Sequence, residues 1–201
     1  VTLELGGNAA VMIEADTEVN DALVDRLIGG AYNHAGQVCI SVQRILVHRA
    51  IYTQLKDKLV SRLQSLRAAD PRLDSDLVGP MIKENEAVRL KKWLDQAVAE
   101  GATVLVGGEQ QGVMFEPTLL EQVSPTSEIY QNEAFGPVAI LEPYEQFEQG
   151  IERINQSRFG LQAGVYTQNL QQMLYAWDQL HVGGVIINDI PSFRVDNMPY
   201  G

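Results

Sequence analysis

A chain of 201 residues, 45% of them apolar, is long enough to bury one substantial core, so we expect a single domain. Its formal net charge of −11 argues against binding nucleic acid or an anionic membrane surface through bulk electrostatics. The single cysteine excludes an intrachain disulfide and fits a reducing cytoplasm. We expect no membrane association, because no apolar run approaches the ~18 residues of a membrane span and the start of the chain lacks the pattern of a signal peptide.

Hydrophobic periodicity predicts strands and helices that alternate along the chain. The predicted strands cover residues 1–5, 9–13, 44–48, 104–106, 115–120, 138–141, 164–167 and 184–188. The predicted helices cover residues 16–36, 50–66, 84–100, 144–156 and 170–180, with Asp16 or Thr17 as the first N-cap and an irregular segment over 125–137. This alternation predicts an α/β layer fold with a largely parallel sheet.

Cys39 lies on the short connection between the first long predicted helix, which ends at Gly36, and the strand that begins at Arg44. A side chain on such a connection can project into a cleft, and a thiol in a cleft is a candidate nucleophile. The alternative is that Cys39 is a small buried apolar residue, as many lone cysteines are. Position alone leaves both interpretations open.

A reactive thiol needs a partner that accepts a proton or activates water. His34, His48 and His181 are spaced in a way that favours no cysteine–histidine pair, and each fits a surface or packing role. Glu4 and Glu133 lie beside turns, where a carboxylate can enter a cleft, although each could equally be a solvated acid. The sequence contains no pattern typical of a metal site, a GxGxxG loop or a P-loop.

Three motifs occur in order along the chain: Glu4-Leu5-Gly6-Gly7-Asn8, Gly36-Gln37-Val38-Cys39 and Glu133-Ala134-Phe135-Gly136-Pro137. Together they resemble the three signatures of the NAD(P)-dependent aldehyde dehydrogenase superfamily, and the similarity runs through nearly all of the chain. The resemblance implies an open, twisted, largely parallel sheet with helices on both faces. It also implies that residues 1–201 form the catalytic domain.

The resemblance implies a role for individual residues in oxidising an aldehyde to a carboxylic acid. Cys39 would attack the aldehyde carbon to give a thiohemiacetal, and loss of hydride to the nicotinamide would leave a thioester. Glu4 would activate the water that hydrolyses this thioester, and the backbone N–H of Cys39 would supply half of the oxyanion hole. Glu133 would hydrogen-bond the nicotinamide ribose, and Phe135 would pack near the nicotinamide ring.

Three alternatives to this activity remain. A relative that transfers the acyl group to coenzyme A is disfavoured by Glu4, which such members commonly lack. A non-catalytic structural relative, such as the lens crystallins derived from this superfamily, is disfavoured by intact Cys39, Glu4 and Glu133. A thiol hydrolase unrelated to aldehydes is supported only by the lone cysteine.

The family normally has an N-terminal half before the first motif and a terminal strand after Gly201. The resemblance therefore implies that the main site for NAD or NADP, a dissociable cosubstrate, lies outside this chain. We expect the chain alone to be nearly inactive as a dehydrogenase, and the full-length protein to be a homodimer or homotetramer in the cytoplasm.

Residues 189–196 are similar to members that act on small oxygenated aldehydes such as lactaldehyde. Arg194 in this segment could recognise an anionic or hydroxylated substrate. Alternatively, Arg194 could pair with Asp189 or Asp196.

Overall fold

The structure, a computed structural model, describes residues 5–72 and 78–198. The strands are β1 (Ala9–Ile13), β2 (Val42–His48), β3 (Thr103–Val106), β4 (Gln110–Gln111), β5 (Met114–Phe115), β6 (Thr118–Glu121), β7 (Val138–Tyr144), β8 (Gln162–Tyr166) and β9 (Gly184–Ile187). The helices are α1 (Asp21–Tyr32), α2 (Arg49–Leu63), α3 (Glu84–Ala99), α4 (Glu128–Gln131), α5 (Phe147–Asn155) and α6 (Leu170–Gln179). A single 3₁₀ turn, Asn33–Gly36, follows α1.

One seven-stranded sheet organises the fold, with the strand order β3-β6-β7-β2-β1-β8-β9. Every neighbouring pair is parallel except β3 and β6, which are antiparallel. Parallel neighbours require crossover connections, and here helices supply several of them. The predicted α/β class with a largely parallel sheet is confirmed.

Both faces of the sheet are covered by helices. On β1, Val11 and Ile13 face one cluster, formed with α1 and α2, whereas Ala10 and Met12 face another, formed with α5 and α6. Helix α3 packs on the same face as α5 and α6, against Leu120 and Ile140. All five residues of β1 are buried, which explains why its sequence is a continuous apolar run rather than an alternation.

The start of α1 differs from the prediction. Asn20 is the N-cap, and its side-chain oxygen accepts a hydrogen bond of 2.9 Å from the backbone N–H of Leu23. The predicted cap at Asp16 or Thr17 is wrong, because the Asp16 carboxylate instead accepts a hydrogen bond of 2.8 Å from the N–H of Gln168. Asp16 therefore links the segment that precedes α1 to the residues that follow β8, and it does not start the helix.

Other predicted elements are present with shifted ends. Helix α2 stops at Leu63 rather than residue 66, and α5 begins at Phe147 because Tyr144 is still the last residue of β7. The segment predicted to be irregular contains the short helix α4. Most of the strand predicted over residues 1–5 lies outside the described residues. Within the described ranges, no helix combines the length and apolar character needed to cross a membrane.

Candidate active site

The turn that carries Cys39 has an unusual backbone. His34 and Ala35 adopt the left-handed conformation with φ of 53° and 55°, and Gly36 continues it with φ of 66°. Left-handed residues other than glycine are uncommon, and consecutive ones store strain that the surroundings must hold. The chain thereby reverses sharply after α1 and presents Cys39, which is half-buried, just before β2 begins at Val42.

Two side chains fix this turn to neighbouring segments. Gln37 donates to the Pro80 carbonyl at 3.2 Å, and its amide oxygen accepts from the N–H of Ile82 at 2.7 Å. Ser192 donates to the carbonyl of Ile40 at 2.8 Å. Ile40, the residue directly after Cys39, is thus held by the segment 189–196, which also contains the predicted substrate-recognition residue Arg194.

The first motif lies against the other two. A Cβ added to Gly7 would lie 1.9 Å from the carbonyl oxygen of Cys39, and one added to Gly6 would lie 2.5 Å from the Glu133 carboxylate. The N–H of Gly7 donates to Oε1 of Glu133 at 2.8 Å. Gly7 is a glycine because the Cys39 backbone occupies the space of a side chain, whereas the neighbour of Gly6 is the flexible end of the Glu133 side chain.

The second and third motifs also meet directly. A Cβ on Gly36 would lie 2.1 Å from the carbonyl oxygen of Gly136. Between Glu133 and Gly136, Phe135 has φ of 47° and a side chain that is 38% exposed. An exposed aromatic residue in a strained conformation is a feature that functional sites retain.

Two buried amides hold the loop that carries Glu133. Gln43 donates to the Asn132 carbonyl at 2.8 Å, and its oxygen accepts from the N–H of Ala134 at 2.9 Å. Asn8 also donates to the Asn132 carbonyl, at 3.1 Å. Sequence analysis assigned no role to either residue, although Gln43 and Arg44 are polar residues in a buried central strand, which is a usable signal.

The three motifs converge at one edge of the sheet. Strands β1, β2 and β7 are adjacent and parallel, so Asn8, Cys39 and Glu133, which precede them, gather at their amino ends. His48 ends β2, roughly 20 Å away at about 3.3 Å per residue, and its Nδ1 accepts from the N–H of Ala50 at the start of α2. The structure therefore separates His48 from the cysteine.

Two remaining candidates need separate treatment. Glu4 lies outside the described residues, so its role stays a prediction. His181 follows α6, where its N–H donates to the Asn155 side chain at 2.8 Å. No group of three or more histidine, cysteine, aspartate or glutamate residues in the described ranges is arranged to hold a metal ion.

Asp189 is engaged by a residue that sequence analysis did not consider. Arg26 forms a two-point ion pair with it, with distances of 2.6 and 2.9 Å. Burial would raise the pKa of Asp189, but the hydrogen bonds from Arg26 and from the N–H of Ile190, together with the charge of Arg26, lower it overall. Arg194 is exposed in the same segment, two residues beyond Ser192.

Comparison with known proteins places the chain in a class. The model of the aldehyde dehydrogenase family matches residues 1–201, so the chain belongs to that family. Among curated relatives, it is 40% identical over 201 residues to a 3-sulfolactaldehyde dehydrogenase of Priestia aryabhattai and 33% identical to a lactaldehyde dehydrogenase of Methanococcus aeolicus. Both matches include all 201 residues of this chain, but they span only 42% and 43% of the length of these relatives.

A solved structure agrees with this assignment. Aldehyde dehydrogenase 21 of Physcomitrella patens, in complex with the reaction product succinate, superposes with a TM-score of 0.93 at 39% identity. The match covers 98% of this chain and 41% of that one. The resemblance to the family inferred from the three motifs is confirmed, and the chain spans about two fifths of the length of the relatives it matches.

Proposed function

We propose that this chain forms the catalytic part of an enzyme that oxidises a small aldehyde to a carboxylic acid with NAD or NADP. The observation that carries the proposal is the convergence of Gly7, Cys39 and Glu133 at the amino ends of adjacent strands. The proposal is supported by the Cys39 carbonyl packing against Gly7, whose N–H donates to the half-exposed Glu133 carboxylate on a loop held by Gln43 and Asn8. The proposed cytoplasmic location and oligomeric full-length protein remain proposals that rest on the lone cysteine and the family resemblance.

Cys39 is the proposed nucleophile. Its sulfur forms a bond to the aldehyde carbon, and its own backbone N–H faces the developing oxyanion, which stabilises the tetrahedral adduct. After oxidation the acyl group remains on the sulfur as a thioester, whose carbonyl is still electrophilic enough for attack by water. Glu4, three residues before Gly7 in the sequence, is the proposed base that takes the proton from that water.

Glu133 and Phe135 are the proposed contacts to the cofactor. The Glu133 carboxylate is half-exposed and oriented by the N–H of Gly7, so it fits a role as acceptor for ribose hydroxyls. The exposed Phe135 ring fits a role in packing beside a flat heterocycle. A bound nicotinamide dinucleotide would supply the hydride acceptor.

The proposed substrate is a short aldehyde with a hydroxyl or an anionic group. Ser192 anchors its segment to Ile40, the residue after Cys39, and exposed Arg194 lies two residues further along this segment. The names of two similar proteins fit this choice, since 3-sulfolactaldehyde carries a sulfonate and succinate carries a carboxylate beyond the reacting carbon. Arg194 is the proposed recognition residue.

Competition between an aldehyde and iodoacetamide for Cys39 tests this function without requiring turnover. Alkylation of Cys39 is followed by mass spectrometry, with lactaldehyde present or absent. We expect the aldehyde to slow alkylation, because the thiohemiacetal sequesters the sulfur, and Cys39→Ser to remove the label entirely. An alkylation rate that stays unchanged at saturating aldehyde would contradict the proposed nucleophile.

A further inference from the structure

A cavity lies next to the loop that carries Glu133, and neither Cys39 nor Glu133 lines it. Its volume is about 380 Å³, within the range of small-molecule sites. We call it the arginine cavity, because two arginines are the only charged residues among the described ones that line it. The lining consists of Asn8, Arg44, Pro125, Thr126, Tyr130, Gln131, Gln156, Ser157 and Arg158.

The charge of the arginine cavity is opposite to that of the chain. The protein has a net charge of −11, yet the described lining contains Arg44 and Arg158 and no carboxylate. Among the described residues, neither arginine is in an ion pair with an aspartate or glutamate. A concave surface whose lining carries positive charge and no carboxylate attracts anions.

Arg44 supplies a buried charge at this cavity. It is only 1% exposed, and its Nη1 donates to the Tyr130 hydroxyl and to the Arg153 carbonyl, both at 3.2 Å. Its Nε has no hydrogen-bond partner among the described residues. Tyr130 stands between Arg44 and Glu142, to which its hydroxyl donates at 3.0 Å, so the Glu142 carboxylate is near enough for its charge to interact with the guanidinium but forms no ion pair with it. Buried arginine is normally paired directly.

Arg158 supplies an accessible charge. Its side chain is exposed, donates to Oδ1 of Asn132 and lies 5.2 Å over the Phe159 ring. An arginine has five N–H donors, so this single hydrogen bond leaves most of its fork for a ligand. Beside it, the Ser157 hydroxyl oxygen accepts from the N–H of Phe159 at 3.2 Å, which leaves its own hydrogen to donate.

We propose that the arginine cavity binds a small molecule through a phosphate group, with Arg158 as the principal ligand and Arg44 as the buried counter-charge. Arginine forks match the geometry of phosphate oxygens, and neighbouring hydroxyl and amide donors complete such sites. A volume of about 380 Å³ is larger than a phosphate ion needs, so the ligand class is a phosphate monoester of a small alcohol.

The arginine cavity is connected to the candidate active site. Arg158 donates to the side chain of Asn132, the residue before Glu133, and Asn8 both lines the cavity and donates to the Asn132 carbonyl. A ligand that engages the remaining donors of Arg158 lies next to this Asn132 contact. Binding should therefore be detectable at the backbone amides of Asn132 and Glu133.

The test is an amide-shift titration by NMR at constant ionic strength, with inorganic phosphate and glycerol 2-phosphate as the two probes. We expect saturable shifts at residues 126–132 and 156–158 for both probes, with the ester binding at least as tightly. Arg158→Gln should raise Kd about tenfold or more, and Arg158→Lys should restore part of the loss. Arg158 is exposed, so neither variant should disturb folding.

Arg67→Gln is the matched control, because it removes one arginine beyond α2, which packs on the opposite face of the sheet. It should leave Kd within about twofold. Shifts that do not saturate, or an equal loss in Arg158→Gln and Arg67→Gln, would overturn the site. Binding of inorganic phosphate with exclusion of the ester would overturn the assignment to a phosphate monoester.

Discussion

Gly7 lies so close to Cys39 that a side-chain carbon on it would stand 1.9 Å from the Cys39 carbonyl oxygen. Gly7 is not among the residues with positive φ, so its backbone conformation does not demand glycine. The close contact with the Cys39 carbonyl is what requires glycine at this position. The first motif thus contributes to the candidate active site by leaving room for the turn that presents the cysteine.

Gly7→Ala tests this contact. The added methyl group must displace the Cys39 carbonyl, so we expect the free energy of unfolding to fall by about 1–3 kcal/mol and the protection of Cys39 by aldehyde to weaken. Urea unfolding and the alkylation assay measure the two effects. Gly79→Ala is the control, since a Cβ there meets nothing within 4 Å. Equal behaviour of the two variants would show that the turn adjusts freely.

Gln43→Met tests how the Glu133 loop is held. Methionine has a similar length but cannot donate to the Asn132 carbonyl or accept from the N–H of Ala134, both of which Gln43 pairs in a buried position. The Asn132 carbonyl still accepts from Asn8, but the N–H of Ala134 loses its partner, which costs about 1–3 kcal/mol, so we expect the free energy of unfolding to fall by that amount. Faster amide hydrogen exchange at Ala134 should accompany this loss. Gln96→Met on the exposed face of α3 controls for the substitution itself and should be nearly neutral.

Sequence analysis found the order and kind of most elements because apolar periodicity reports which face of a segment is buried. It failed where a polar side chain chooses among partners far apart in the chain. Asp16 and Asn20 are both good N-caps by type, and only the arrival of Gln168 beside Asp16 assigns the cap to Asn20. Likewise, the motifs gave Cys39 and Glu133, but no local pattern shows that Gln43 spans from β2 to that loop.

Glu142→Gln tests whether burial of the Glu142 carboxylate makes the free energy of unfolding depend on pH. Burial is the largest cause that raises the pKa of Glu142, against the lowering effects of Arg44, Tyr130 and Arg153. The folded state therefore binds this proton more tightly than the unfolded state. The resulting stabilisation is complete below the ordinary pKa of a glutamate and is lost as pH rises through the folded pKa.

Gln cannot ionise, so Glu142→Gln should gain stability relative to the wild type as pH rises above the ordinary pKa of a glutamate towards neutral. Urea unfolding at several pH values measures the difference. The exposed Glu152→Gln on α5 controls for the loss of one carboxylate. A gap between Glu142→Gln and wild type that narrows with rising pH would contradict the sign.

The chain alone should reduce NAD or NADP very slowly in the presence of aldehyde, although Cys39 should still react with aldehyde. This separation follows from the family resemblance, which assigns most of the cofactor site to residues outside the chain. Comparing nicotinamide reduction with the alkylation assay on one preparation measures both steps. Turnover close to that of a full-length relative would contradict the prediction, whereas loss of aldehyde protection as well would place the fault in the proposed nucleophile.

Arg194→Gln tests the proposed substrate class. If Arg194 recognises an anionic group, the variant should need about 5- to 100-fold more 3-sulfolactaldehyde than the wild type to protect Cys39, as expected for a lost charge-assisted hydrogen bond. Protection by neutral propanal should not change, because propanal offers no anion to the guanidinium. Arg67→Gln, which removes the same charge elsewhere, should behave as wild type with both aldehydes. If protection of Cys39 weakens equally with both aldehydes, Arg194 instead holds the Ser192 segment against Ile40. The alternative pairing of Arg194 with Asp196 would be one way to do so. That outcome would move substrate selection to residues outside this segment.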